Sequence, residues 1–158
     1  FWFRFVHPYR GSLELGLTDA IYQQRVQPVF DAFVGYAFEN VARHYVTRLA
    51  RAGRLPFVPE RVGRWWQEDE EIDVVAVSDT DHSLLLGECK WSARPVGINV
   101  LTDLQRKARV LRLDPTWRVS YALFAKSGFT PELVLLAQEQ NILLAGPDEL
   151  VQEQLSRP

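Results

Sequence analysis

Two apolar segments joined by a short polar turn constrain the fold of this chain more than any other feature. Residues 72–77 and 84–91 are rich in Val, Ile and Leu, and the six residues between them read Ser-Asp-Thr-Asp-His-Ser. Segments of this length and composition, bounded by turn-forming residues, are typical of β-strands. Two strands joined by so short a turn pair antiparallel. The sequence therefore predicts a β-hairpin near the middle of the chain.

Helices and further strands are predicted on both sides of the hairpin. Before it, Asp31 can cap a helix over residues 31–51, which Gly53 can end. The remaining predicted elements are strands over residues 62–67, 119–125 and 142–145 and helices over residues 99–113, Pro131–Gln140 and Pro147–Leu155. The resulting order, α-β-β-β-α-β-α-β-α, indicates an α/β fold with a mixed central sheet flanked by helices.

Length and composition indicate one globular domain. The chain has 158 residues, of which 47% are apolar, and its single cysteine, Cys89, excludes an intramolecular disulfide and a Cys-based zinc site. The apolar runs are far shorter than the ~18 residues of a membrane span, so we expect a cytoplasmic protein without membrane association. The chain has no Met. We therefore expect a fragment of a longer polypeptide, in which residues 1–25 are a linker or arm from an upstream domain.

The charges are distributed unevenly along the chain. Residues 68–91 carry eight acidic side chains and one basic one, whereas residues 1–67 and 92–118 each have a net charge of +4. An acidic block between two basic ones is typical of a metal site flanked by a polyanion-binding surface. Loops that are acidic without a function are the alternative explanation.

Charged residues occupy strand positions that should belong to the core. Asp73 alternates in phase with Val75, and Glu88 and Lys90 alternate in phase with Leu86. The hairpin brings Asp73 and Glu88 to one end of the sheet, where two carboxylates repel unless a cation lies between them. Mg²⁺ takes oxygen ligands and would satisfy both, while the Lys90 ammonium would polarise a water or stabilise a phosphorane-like transition state. A partly buried ion pair is the alternative.

The helices contribute two further candidates. Glu39 lies beside the apolar stripe of its helix, and Ala42, one turn away, would let the backbone approach the sheet and carry Glu39 toward the metal. Gln105 lies at the edge of the buried stripe of the helix over residues 99–113, where its amide would orient a water or a phosphate. Both residues are also consistent with ordinary boundary positions, and Lys107 is the competing choice to Gln105.

The combination of Glu39 on a leading helix, Asp73 on one strand and Glu88-Cys89-Lys90 on the next resembles the PD-(D/E)xK nuclease superfamily. The resemblance covers roughly residues 31–145. It implies a restriction-endonuclease-like αβββαβ core, a nuclease-like domain over residues 26–158, and a metal-dependent hydrolase that cuts DNA with Mg²⁺ or Mn²⁺.

The same resemblance implies a role for each site residue. Asp73 and Glu88 would be metal ligands together with the carbonyl of Cys89. Lys90 would be the catalytic base or charge stabiliser. Glu39 would be an accessory acid near the metal, and Gln105 would match a helix-borne polar residue of resolvase-like members.

A narrower resemblance rests on residues 1–6 (FWFRFV), 33–39 (FVGYAFE), 63–66 (GRWW) and 87–91 (GECKW), together with Glu71-Ile72-Asp73. These motifs are similar to the C-terminal nuclease-like domain of archaeal and bacterial AAA+-type ATPases. The implied partners are upstream ATPase and winged-helix domains of the same polypeptide, and a homodimer is a further arrangement. The alternative function is an inactive nuclease-fold module that binds DNA or regulates the attached ATPase.

Basic and aromatic residues supply candidate nucleic-acid contacts. The expected phosphate contacts are Arg43, Arg48, Arg51, Arg94, Arg106, Lys107, Arg109 and Arg112. Trp65, Trp66 and Trp91 are expected to pack in the fold, with base stacking as the alternative. The three histidines, His7, His44 and His82, are too far apart in sequence to show the spacing of a metal site.

Overall fold

The predicted hairpin forms the centre of a five-stranded sheet in the structure, a computed structural model that describes residues 1–155. The strands are, in chain order, β1 (Arg61–Gln67), β2 (Glu70–Ser78), β3 (Ser83–Lys90), β4 (Arg118–Ala125) and β5 (Leu143–Ala145). They lie in the order β1-β2-β3-β4-β5. The pairs β1–β2 and β2–β3 are antiparallel, and the pairs β3–β4 and β4–β5 are parallel. A mixed sheet follows because a hairpin leads into two crossover connections.

The helices complete the predicted order. They are α1 (Arg10–Glu14), α2 (Thr18–Ile21), α3 (Gln27–Arg51), α4 (Ile98–Val110), α5 (Pro131–Gln140) and α6 (Pro147–Leu155), with short 3₁₀ or π-helical turns at Trp2–Val6, His7–Tyr9 and Tyr22–Val26. The sequence α3-β1-β2-β3-α4-β4 is the αβββαβ order of a restriction-endonuclease-like core. The predicted fold class, α/β with a mixed sheet flanked by helices, is confirmed.

The predicted start of the long helix at Asp31 is wrong. Helix α3 begins at Gln27, because the helical turn Tyr22–Val26 runs directly into it and Asp31 lies inside the helix. Its predicted end is correct, since Gly53 adopts a φ of 65° and the N–H of Arg54 donates to the carbonyl of Leu49 at 2.9 Å.

The chain divides into two units, the first of which is Phe1–Ala37. In this unit four aromatic rings contact one another, with centroid distances of 5.0–6.5 Å. They belong to Phe1, Phe5, Phe30 and Phe33. The assignment of residues 1–25 to a linker or arm stays a prediction.

The second unit begins at Phe38 and contains the sheet, which has an apolar cluster on each face. One cluster consists of Phe38, Ala42, Tyr45, Val46 and Leu49 of α3, Val74, Ala76, Leu85, Ala122, Phe124 and Ala145 of the sheet, and Leu150 of α6. The other includes Leu101 and Leu104 of α4, Leu133 and Ala137 of α5, and Leu84, Leu86 and Leu123 of the sheet. Since both faces are covered, charged side chains on the central strands lie toward the strand ends.

The contact face of α3 is rotated from the stripe that its sequence predicts. Helical spacing predicts a buried stripe of Val34, Phe38, Val41, Tyr45 and Leu49. Of these, Val41 is 40% exposed, whereas Ala42 and Val46, outside the stripe, are fully buried. The small side chain of Ala42 lets the helix approach the sheet closely, as expected for the residue one turn from Glu39.

Candidate active site

The hairpin opens at one end, and four candidate residues gather there. The pairing of β2 with β3 ends at Val74 and Gly87, whereas the pairing of β3 with β4 continues through Lys90. Just past the last β2–β3 pair, the N–H of Cys89 donates to Oδ2 of Asp73 at 2.8 Å instead of to a backbone carbonyl. We call the set Asp73, Glu88, Cys89 and Lys90 the fork. A side-chain carboxylate thus replaces a backbone acceptor where the strands stop pairing.

Glu88 is a buried carboxylate held by two ammonium groups. Only 6% of the residue is exposed. Nζ of Lys90 donates to its Oε1 at 2.7 Å, and Nζ of Lys107 donates to its Oε2 at 3.0 Å. Lys107 also lies 3.7 Å from Oδ2 of Asp103, one turn earlier on α4. Because a buried charge is costly unless it is paired, the two lysines are what keep Glu88 at this position.

Asp73 lies in a site that disfavours its charge. Burial, followed by the negative charge of Glu88, raises the pKa of Asp73 to about 6, against the lowering effect of the Cys89 N–H. Burial and the charge of Asp73 likewise raise the pKa of the Cys89 thiol, which therefore stays protonated. Burial and the neighbouring carboxylate thus disfavour a second negative charge at the fork.

Lys90 is the most accessible group of the fork. Its side chain is 42% exposed, compared with 12% for Lys107. Burial alone would lower the pKa of Lys90, but the hydrogen bond to Glu88 and the charges of Glu88 and Asp73 outweigh it and raise the pKa. The ammonium therefore stays protonated at neutral pH and faces solvent beside the two carboxylates.

Glu39 reaches the fork through Arg43. The Arg43 guanidinium donates from Nη1 to the carbonyl oxygen of Asp73 at 2.6 Å and from Nη2 to Oδ1 of Asn40 at 2.9 Å, and Nη1 lies 3.7 Å from Oε2 of Glu39. Burial raises the pKa of Glu39, against the lowering effect of Arg43. Arg43 thus ties α3 to β2 at the fork, a positioning contact that the sequence signals only as an i,i+4 acid–base pair.

Gln105 is not brought to the fork. Its side chain lines a groove together with Arg109 and Arg112, while Lys107, the competing choice, contacts Glu88. The catalytic role of Gln105 stays a prediction, and none of the contacts of the fork involves it.

Four of the residues expected to contact phosphate form hydrogen bonds or ion pairs within the protein. Arg43 and Lys107 bind Asp73 and Glu88 as described, Arg48 donates to the carbonyl of Leu150, and Arg106 forms a two-pronged pair with Glu70. Arg109 and Arg112 line one concave surface and Arg51 lines another, and within residues 1–155 none of the three forms such a contact.

Of Trp65, Trp66 and Trp91, two pack in the fold as expected. Trp65 contacts the second apolar cluster, and Trp91 lies against Phe38 with 5.2 Å between ring centroids. Trp66 does not pack in the fold as expected. It is 65% exposed, and the Arg64 guanidinium lies over its ring.

The oxygen donors of the fork fit a hard divalent ion that keeps water ligands. Within residues 1–155, no three His, Cys, Asp or Glu side chains form a ready-made metal cluster. Mg²⁺ does not require one, since it is commonly held by one or two carboxylates with waters and substrate phosphates. Asp73 and Glu88 provide two carboxylates, of which Glu88 is already paired with two lysines, and the Cys89 carbonyl leaves β3 on the same edge as the N–H that bonds Asp73.

The raised pKa of Asp73 predicts an unusual pH dependence of stability in the presence of a chelator. The native state holds its proton up to about pH 6, whereas the unfolded chain loses it near the ordinary value of 3.8. Asp73 therefore destabilises the fold progressively as the pH rises from about 4 to 6, by about 2–3 kcal/mol in all. The free energy of urea unfolding, measured from pH 4 to 8 for wild type and Asp73→Asn, should show the variant gaining relative to wild type over this window. A constant difference between the two proteins would contradict the assignment.

Comparisons with known proteins give a family and two similar chains. Residues 2–107 match DUF234, described as archaeal and bacterial proteins of unknown function. An uncharacterized protein of Methanocaldococcus jannaschii is 33% identical over 129 residues, which cover 80% of this chain and 28% of that protein. The crystal structure of a repair endonuclease from Pyrococcus abyssi is similar with a TM-score of 0.44 and 18% identity, over 66% of this chain and 45% of that one. The chain thus spans less than a third of the archaeal relative. Among the described residues, no helix has the length and apolarity that crossing a membrane requires.

Proposed function

Because this chain belongs to the DUF234 family, whose function is unknown, we propose its function from the site itself: a metal-dependent hydrolase of DNA phosphodiesters. The observation that carries the proposal is the convergence of Asp73, Glu88 and Lys90 at the fork, with hydrogen bonds of 2.8 and 2.7 Å and a raised pKa on Asp73. A carboxylate whose charge is disfavoured by its surroundings, beside a protonated, solvent-facing amine, is suited to a cation and a phosphate.

Each residue of the fork has a distinct part in this proposal. Asp73, Glu88 and the Cys89 carbonyl would hold Mg²⁺ or Mn²⁺, with Glu39 as an accessory acid. When bound, such an ion supplies Lewis-acid activation of water and of the phosphate. The fork supports the assignment because its carboxylates lie close enough for Glu88 to raise the pKa of Asp73.

Lys90 acts in the proposal as a charge stabiliser and not as a base. Its raised pKa keeps the amine protonated, so it cannot accept a proton from water at neutral pH. An ammonium beside the scissile group would instead bind the negative charge that develops on the phosphate oxygens. Lys107 holds the second oxygen of Glu88 and positions that carboxylate.

The larger context of the domain is part of the same proposal. We infer that it forms the C-terminal part of a longer ATPase, preceded by a winged-helix domain, and that two copies pair to cut two strands. The length of the archaeal relative, of which the match covers 28%, is in keeping with a multidomain polypeptide.

One observation favours the alternative function, an inactive module that binds DNA or regulates the attached ATPase. Both oxygens of Glu88 accept hydrogen bonds from ammonium groups, so an ion at the fork would compete with Lys90 and Lys107. In the inactive module this pairing is permanent, and the fork serves only to join α4 to the hairpin.

Cleavage of DNA by the isolated chain distinguishes the two functions. Supercoiled, linear and branched DNA would be incubated with wild type and with Asp73→Ala, in Mg²⁺, in Mn²⁺ and in EDTA. We expect cleavage by wild type with metal only, and a loss of at least about 10²-fold in the variant, since the metal site loses a carboxylate. Asp79→Ala is the matched control, because Asp79 lies on the surface and pairs with Arg61. Equal cleavage by all three proteins, or none by any, would remove the hydrolase proposal.

A further inference from the structure

A groove separate from the fork lies beside the C-terminal half of α4. Its volume is about 650 Å³, and it is bounded by α4, the loop that follows it and the first residues of β4. Among the residues that line it are Gln105, Arg109, Arg112, Trp117 and Tyr121. The groove thus combines two guanidinium groups with two aromatic rings.

The two arginines of the groove are available to a ligand. Both are exposed, and among the residues that the structure describes neither lies within ion-pair distance of a carboxylate. Arg109 lies in the last turn of α4, and Arg112 follows the end of that helix, in the loop that borders the groove. Burial raises the pKa of Tyr121, and the positive charge of Arg109 lowers it. The Arg109 guanidinium is therefore near enough to the Tyr121 hydroxyl to influence it electrostatically. Cations in this arrangement suit the successive phosphates of a strand.

Two residues at the groove have unfavourable backbone conformations: Arg112 lines the groove, and His82 contacts Trp117, which also lines it. Arg112 and His82 have φ angles of 47° and 45°, in the left-handed region that non-glycine residues rarely adopt. The ring of His82 stacks on Trp117 at 5.5 Å with 14° between the planes, and its Nδ1 lies 2.9 Å from the Thr116 hydroxyl. The N–H of Thr116 in turn donates to Asp114 at 2.9 Å. Strained residues that persist in a structure are characteristic of functional sites.

We propose that this groove binds an unpaired segment of the DNA strand, with a base stacked on Trp117 or Tyr121 and the phosphates bound by Arg109 and Arg112. The inference rests on the proposed function in taking DNA as the ligand. Sequence-independent binding of single strands combines a basic track with aromatic rings, since every base presents a π-face. A cavity of this volume admits nucleotides in the way that small-ligand sites do, whereas the bases of a double helix are stacked and leave no free face. The substrate class is therefore DNA with a single-stranded portion, such as a flap or a branch.

Binding without metal tests the inference independently of catalysis. Fluorescence anisotropy would follow a labelled oligothymidylate of roughly ten nucleotides, a length within the span of known single-strand sites, in EDTA. Trp117→Ala should weaken binding about 5- to 100-fold, as loss of a base stack does. Arg112→Gly should weaken it about tenfold and reduce the slope of log affinity against log salt by about 0.7. Because glycine adopts a φ of 47° freely, this second variant also keeps the fold if Trp117→Ala does not.

Matched variants outside the groove supply the controls. Trp2→Ala removes an exposed tryptophan from the turn Trp2–Val6, and Arg25→Gln removes an exposed arginine before α3; both should bind like wild type. Duplex of the same length should bind more weakly than the single strand, and free thymidine monophosphate should not displace it at equal concentration. Wild-type affinity in the groove variants, equal binding of duplex, or equal competition by the mononucleotide would each overturn the inference.

The outcomes separate this inference from the proposed hydrolase. If wild type cleaves no DNA but the groove variants lose single-strand binding, the hydrolase fails and the groove stands. If wild type cleaves with metal but the groove variants bind and cut flapped DNA as wild type does, the inference about the groove is wrong and the hydrolase proposal stands. Asp73→Asn should retain binding in EDTA, since Asp73 lies at the fork and not in the groove.

Discussion

Replacing Lys90 by Met is expected to reduce metal-dependent DNA cleavage by about 10²- to 10³-fold, the usual loss when one charge stabiliser of a transition state is removed. Replacing Lys107 by Met is expected to act mainly on stability. The two side chains bind the two oxygens of the same carboxylate, at 2.7 and 3.0 Å, but differ in access to solvent. Lys90 is 42% exposed and can meet a phosphate, whereas Lys107 is 12% exposed and lies between Glu88 and Asp103.

The pair of variants separates catalysis from folding. Loss of Lys107 leaves the buried Glu88 with one cation, so the free energy of unfolding should fall by about 1–3 kcal/mol. Loss of Lys90, which is more exposed, should cost about 1 kcal/mol or less. Single-turnover cleavage rates and urea unfolding of wild type and both variants provide the measurements. A Lys107→Met protein that loses as much of its cleavage rate as Lys90→Met while remaining as stable as wild type would reverse the assignment.

Replacing Gly87 by Ala is expected to be the most damaging conservative change to the fold. A Cβ at this position would lie 2.9 Å from Cβ of Val74 and 3.1 Å from the Phe124 ring. The Val74 atom is fixed to its backbone, so relief requires β2 or β3 to move within a sheet that is packed on both faces. Overpacking of this kind costs about 1–3 kcal/mol and occasionally more. Because Glu88 is the next residue, the shift would also displace the fork, and cleavage should fall with stability.

Gly63→Ala is the matched control for this prediction. Gly63 also lies in a strand, β1, but a Cβ there meets no atom within 4 Å and its φ is not positive. Its replacement by Ala should therefore leave the midpoint of thermal unfolding nearly unchanged, whereas Gly87→Ala should lower it by several degrees. Similar midpoints for the two variants would show that the sheet accommodates the added methyl group at Gly87.

The hairpin and its charged residues were predictable because their signals are local. Alternation along a strand assigns Asp73, Glu88 and Lys90 to positions near the core, and the short turn between the strands brings them to one end. The element order followed from apolar runs and turn residues for the same reason. The position of Glu39 on the side of α3 near the sheet was predictable because Ala42, one turn away, marks the side of that helix that is buried.

The rest depends on tertiary packing that periodicity does not specify. Gln105 and Lys107 lie two residues apart on α4, about 200° around the helix, so only one of them can face the fork. They flank the buried residues Leu101 and Leu104 on opposite edges of the helix, so which one faces the fork depends on how α4 lies across the sheet. The positive φ angles of Arg112, which lines the groove, and of His82, which stacks on Trp117, could not be predicted for a different reason. Neither is the glycine or asparagine that would announce a positive φ.

The early end of pairing between β2 and β3 separates what holds the hairpin together from what gives it chemistry. The strands β2 and β3 pair through backbone groups as far as Val74 and Gly87. Beyond that point, the N–H of Cys89 donates to the side chain of Asp73 instead. Mutation can therefore exchange Asp73 or Lys90 while the scaffold survives. Homologues that have lost these side chains, and with them whatever chemistry the fork performs, should therefore still fold.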